Sequence, residues 1–206
     1  MIQDPLSATR ISRALCAALL VAASAGVARA ELVPEKMRAA VVAAPAAKRE
    51  FDGALSQLKW ASDGYENSSA GWAKLAKRLG KTDVVLAHRA MTGLDAPTAT
   101  NLLDFVRAGG ALVVTDAAPI PADAASSDWL QILTPGFAPT VAPFDAEKEK
   151  RTARVGVERS ILSHPNRADS PAEGVGPVFK ADGRHWEFAG KVRGQPCVLL
   201  RRVGRG

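Results

Sequence analysis

Three times between residues 39 and 116, a short run of apolar residues is separated from the next by a stretch with helical spacing. The third cycle is the clearest. Asp95 is a good helix N-cap and Pro97 is tolerated in a first turn, while Ala99, Leu102, Leu103 and Val106 recur at the spacing of one helical face. Gly109 and Gly110 then let the chain turn and enter Ala111-Leu112-Val113-Val114. Strands this apolar have no solvent face, so they must be covered on both sides. Alternation with helices makes them parallel.

The earlier cycles follow the same rule. The run AAVVAA at 39–44 predicts a first buried strand that ends before Pro45. Phe51, Ala54, Leu55 and Leu58 give the apolar face of a first helix. The end of that element reads two ways, because residues 58–61 also fit a short second strand before the polar loop DGYENSS. Ser68 or Ser69 is placed to cap a second helix with Trp72, Leu75, Ala76 and Leu79 inward, and Lys77 and Arg78 precede a stop at Gly80. The strand DVVLAH at 83–88 follows directly.

After residue 116 five prolines divide the chain around one expected helix, at 127–133. The charged run DAEKEKR mixes signs and reads as a solvated loop or helix end. The last third turns to β structure. Strands are expected at 178–181, at 186–189 after an Asp182-Gly183 turn, and through Cys197-Val198-Leu199-Leu200 after a turn near Gly194, as a small antiparallel meander.

At the N-terminus, Arg10 and Arg13 precede an apolar run at 14–27, and Ala28-Arg29-Ala30 supplies small residues for cleavage before Glu31. This is the three-part pattern of a signal peptide spanning 1–30, with a periplasmic or secreted destination. The run is short of the roughly 20 residues a membrane helix needs. Cys16 stands at its start without the small residues that precede a lipid-anchored cysteine. Loss of Arg10, Arg13, Arg29 and Asp4 lowers the formal net charge from +6 to +4, and residues 31–206 suit one domain with no further membrane segment. Basic residues are thinly spread, densest at Arg201, Arg202 and Arg205, without the aromatic interleaving that nucleic-acid binding requires. Cys197 would then be the only cysteine, a small buried hydrophobe or a reactive thiol, with no intrachain disulfide.

The residues DVVLAH, LDAPTATNLLDFVRAGG and ALVVTD, at 83–116, resemble the class I glutamine amidotransferase-like fold. Closest are its non-amidotransferase branches, such as trehalose-utilisation-type domains and the trimerisation domain of some bacterial β-galactosidases. The resemblance implies an α/β fold with a mainly parallel, flavodoxin-like sheet, helices on both faces and a C-terminal antiparallel β extension. In the family's catalytic members a cysteine stands on a sharp strand-to-helix turn, with a downstream His and Glu. Such a thiolate needs an exposed elbow, a base and backbone N–H groups for the oxyanion. Here the corresponding stretch is Thr115-Asp116-Ala117-Ala118-Pro119, with no cysteine, no Gly-x-Ser-x-Gly and one N–H removed by Pro119. Ser163-His164-Pro165 is similar to the family's downstream His-Pro-Glu, but Asn166 replaces the glutamate. The resemblance therefore implies a branch without the amidotransferase nucleophile, and His164 reads as a loop or packing residue.

A ligand site is best sought at His88 and Asp116, with Thr115 before it. Both close neighbouring strands at the edge where ligands bind in open α/β sheets. The plainer alternative makes Asp116 a turn cap and His88 a packed end-of-strand histidine. His185 beside Trp186 is a second candidate, for a carbohydrate surface. No metal-ligand spacing and no phosphate loop is present, so neither metal nor cofactor is expected. The functions left open are binding of a small molecule, carbohydrate or partner, hydrolysis at the His88/Asp116 crevice, and oligomerisation of the chain with itself. Residues 203–206 look like a hairpin turn without its returning strand, so a continuation past Gly206 is expected.

Overall fold

A computed structural model of the chain describes residues 37–88, 93–115, 133–134, 136–137, 139–142, 153–156, 170–172, 178–192 and 195–206. The expected signal peptide with Cys16, residues 116–119 including Asp116, most of the helix at 127–133, the charged run at 145–151 and the motif at 163–166 lie outside the described residues.

The three cycles form β1 (Arg38–Val42), α1 (Pro45–Gln57), β2 (Ala61–Tyr65), α2 (Ser69–Ala76), β3 (Val84–His88), α3 (Ala96–Arg107) and β4 (Ala111–Thr115). The strands make one parallel sheet in the order β2-β1-β3-β4. Alternate residues of a strand point to opposite faces, so two cores arise. Ala39, Val41, Val84 and Leu86 pack with Phe51, Ala54 and Leu55 of α1. Their neighbours Ala40, Val42, Val85 and Ala87 pack with Trp72, Leu75, Leu79, Leu102 and Leu103. Helices therefore cover both faces, as the unbroken apolar strands required. The fold is α/β.

The helix ends show why the chain turns where it does. Ser68 Oγ accepts from Gly71 N at 3.2 Å and Asp95 Oδ1 accepts from Thr98 N at 2.8 Å, which fixes the starts of α2 and α3. At the end of α3, Gly109 N donates to Val106 O and Gly110 N to Phe105 O. This pair of bonds needs a left-handed residue, and Gly109 supplies it at φ +116°. Gly110 is needed for space, because a Cβ there would collide with the outer edge of the Phe105 ring. The same pair closes α1, where Lys59 N reaches Ser56 O and Trp60 N reaches Leu55 O. There the left-handed position is held by Lys59 at φ +58°.

Two expectations need correction in this half. Leu58 lies past the end of α1 and is exposed at 42%, so the buried face stops at Leu55. The second strand is not 58–61 but Ala61–Tyr65, which starts at the last residue of that stretch and runs into the segment read as a polar loop. An edge strand is held by its backbone ladder to β1, so its side chains need not be apolar. Ser62 Oγ adds a bond to Asp52 Oδ1 at 2.9 Å, and the same carboxylate takes Lys48 Nζ.

The remainder is antiparallel. Strands β6 (Ala153–Gly156), β7 (Ser170–Ala172), β9 (Glu187–Val192) and β10 (Gln195–Leu200) form a sheet in the order β10-β9-β6-β7. Strands β5 (Thr140–Ala142) and β8 (Val178–Lys180) form a separate pair. The expected β9–β10 pairing is present, but β8 pairs with β5 rather than β9. The reason is Asp182, whose backbone carbonyl accepts from His185 N and Trp186 N while its carboxylate accepts from Arg184 N at 2.8 Å. That wrapped turn replaces the two-residue hairpin, and Gly183 lacks the positive φ such a hairpin needs.

The expected turn at 203–206 is formed by reciprocal bonds between Val203 and Gly206, with Gly204 at φ +67°. It docks on α3. Arg205 N donates at 3.0 Å to Arg107 O, one of the carbonyls that the end of a helix leaves without an internal partner. Val203 packs against the core on that face of the parallel sheet.

Candidate functional site

The sheet order reverses between β1 and β3, since the chain leaves β1 for β2 on one side and returns to β3 on the other. The crevice beyond the carboxyl ends of such strands is where open α/β sheets bind ligands. Beside it α1 begins with Pro45 in its first turn and no side-chain cap. His88 closes β3 at this border.

His88 and Thr115 stand opposite each other in the β3–β4 register. By strand parity His88 shares a face with Val84 and Leu86, and Thr115 with Ala111 and Val113. Both therefore lie on the α1 side. There His88 Nδ1 and Thr115 Oγ1 are 3.1 Å apart, and the Phe51 ring meets the imidazole edge-on at a centroid distance of 6.0 Å. His88 is only 6% exposed. A buried imidazole needs its nitrogens satisfied, and the threonine hydroxyl can donate or accept according to the tautomer.

The contact sets one imidazole nitrogen against the Thr115 hydroxyl at the carboxyl ends of β3 and β4. Of the three expected site residues, the structure brings His88 and Thr115 together, while Asp116 lies outside the described residues. Among the described residues no group of three or more His, Cys, Asp or Glu is placed to hold a metal ion. No helix among them is long and apolar enough to cross a membrane.

The second candidate is arranged differently from its sequence order. His185 stacks on Phe137 at a centroid distance of 3.8 Å and an angle of 28°, and its Nδ1 lies 2.9 Å from Asp182 Oδ2. Trp186 sends its indole N–H to Phe137 O at 2.7 Å. Phe137 is thus a member that sequence reasoning missed. It lies 49 residues away in a Gly-Pro stretch with no local signal.

Cys197 sits where the β9–β10 register shifts, following Pro196. Burial pushes its thiol from 9.0 up to about 11. At neutral pH it is a protonated, unreactive packing group.

No protein-family model matches the chain, and neither a curated protein nor a solved structure matches it.

Proposed function

We propose that this chain is an exported, non-catalytic amidotransferase-like domain that binds a small polar ligand of carbohydrate type at the crevice beside His88 and Thr115. The observation that carries this reading is the 3.1 Å contact between those side chains at adjoining carboxyl ends of parallel strands, on the border of the switch point. Export rests on the N-terminal pattern of Arg10, Arg13, the apolar run and Ala28-Arg29-Ala30. The lack of an amidotransferase nucleophile rests on the sequence at 115–119, which has neither cysteine nor a Gly-x-Ser-x-Gly elbow.

The test is a thermal-shift and mass-spectrometric screen of neutral mono- and disaccharides against the wild-type chain, His88→Ala and Thr115→Val. A sugar that raises the wild-type melting temperature, loses that effect in both variants and is recovered unchanged supports the reading. Turnover of the sugar would replace it with a hydrolase. Equal shifts in all three proteins, or none in any, would remove the site.

A further inference from the structure

Basic residues are scattered along the sequence, but the fold gathers a group of them at one end of the parallel sheet. A helix between parallel strands carries the chain back, so it ends beside the amino end of the next strand. α2 runs out through Lys77 and Arg78, and a single 3-10 turn (Leu79–Lys81) adds Lys81 just before β3. α3 ends at Arg107, just before β4. The C-terminal turn brings Arg205 to the same place, through its N–H to Arg107 O. All of these cationic residues are exposed.

Ordinary roles account for only part of the group. A cation near the last turn of a helix offsets the negative end of its dipole, which suits Lys77 and Arg107. Arg107 is also paired with Asp104 at 3.2 Å. Arg205, in contrast, satisfies the end of α3 with its backbone N–H, so its guanidinium is left to solvent. Arg78, Lys81 and Arg205 take part in no ion pair among the described residues. The carboxylates on these segments are Asp104 and Asp83, and one oxygen of Asp83 accepts from Arg38 N at 2.7 Å. Positive charge is therefore in clear excess at this end.

The kind of partner follows from what accompanies the charges. The aromatic residues of α2 and α3, Trp72 and Phe105, pack into the core. They offer no platform on which bases could stack. Cations carried on the ends of separate elements suit a broad anionic surface, which asks only that they come near it.

We propose that this basic end of the parallel sheet docks the protein on a membrane surface of anionic lipid. The attraction is peripheral and needs no inserted helix. The crevice at His88 lies at the opposite ends of the strands, so a chain docked in this way turns the crevice away from the lipid. The proposal stands on different residues from that crevice, and takes from the reading above only the export that brings the chain to a bilayer.

The experiment is co-sedimentation of the full chain with vesicles of equal parts phosphatidylglycerol and phosphatidylcholine, beside vesicles of phosphatidylcholine alone. Binding to the anionic vesicles is expected at about 0.05 M salt and falls away by about 0.5 M, as screening shortens the reach of each charge. A cation near an anionic surface is worth about fivefold in affinity, so Lys81→Gln is expected to weaken binding about fivefold, and Lys77→Gln with Lys81→Gln more than about tenfold. Arg49→Gln removes an exposed cation near the start of α1, at the opposite end of the sheet, and is expected to leave binding unchanged. Residues 1–30 are the same in every variant, so their own affinity for lipid cancels in the comparison. Orientation is read separately, with spin-labelled headgroups in bicelles of the same lipids. These are expected to broaden the amide signals of Lys81 and Arg205 and to spare Thr98, at the far end of α3. The proposal is overturned if the double variant binds as wild type does, if Thr98 is broadened as much as Lys81, or if the chain binds duplex DNA or heparin but not the anionic vesicles.

Discussion

His88 is a polar side chain placed in a core, and Thr115 is one of the groups that makes its burial tolerable. Replacing that hydroxyl with an isosteric methyl removes one hydrogen-bonding group from the buried imidazole. Thr115→Val is therefore expected to cost about 1–3 kcal/mol, read as a lower urea midpoint at unchanged slope, while Thr115→Ser recovers most of it. A smaller loss for Val than for Ser would show that the contact stabilises nothing. Cys197 gives a prediction in pH. Its folded pKa of about 11 lies above the ordinary 9.0, so the unfolded chain gives up the proton first. Stability from this group is full below about pH 9 and declines as pH rises towards about 11. Urea midpoints of wild type and Cys197→Ala measured from pH 8 to pH 11 should diverge in slope, with the variant falling less steeply. Parallel curves would mean that the thiol is not shielded.

At the scale of single elements, the helix ends decide how much could be read in advance. α3 was legible at both ends, because Asp95 and the pair Gly109-Gly110 are the residues that its cap geometries demand. α1 ends with the same two bonds, but Lys59 stands where glycine is usual, so no stop signal marked the end. Lys59→Gly should relieve that left-handed strain and stabilise the chain by about 0.5–1 kcal/mol, whereas Asp95→Ala should cost about 1 kcal/mol. Calorimetric melting of both variants checks the two signs together. β2 was illegible for another reason. Hydrophobic pattern reports burial, and an edge strand reading Ala-Ser-Asp-Gly-Tyr is held by its ladder instead. The β8–β9 turn was misread because Asp182-Gly183 carries the letters of a hairpin, while the Asp182 side chain bonds its own backbone neighbours. The candidate sites follow the same division. His88 and Thr115 could be placed because they close runs of apolar letters, but nothing local joins Phe137 to His185 and Trp186.

Across the whole molecule, protection should follow position in the parallel sheet. β1 and β3 are flanked on both sides, whereas β2 has a single neighbour. Amides of Val41, Val42, Val85 and Leu86 are expected to exchange with deuterium only through global unfolding, and those of β2 through smaller openings. Exchange of β2 as slow as that of β1 would mean that the sheet opens as one unit. The turn at Gly204 links this sheet to the far end of the chain through Arg205 and Arg107. A Cβ at Gly204 would lie 2.6 Å from Arg107 O, so Gly204→Ala must loosen that joint. The consequence belongs to time rather than to stability alone. Strands β1 to β4 and their helices are complete once residue 115 has been made, but the last carbonyl of α3 waits for Arg205. Closing so long a loop costs more entropy than forming the local βα contacts, so the docking of this turn is expected to follow assembly of the parallel sheet and to be absent from its transition state. Gly204→Ala should then leave the refolding rate nearly unchanged and accelerate unfolding, so that the parallel sheet assembles first and the tail latches it afterwards.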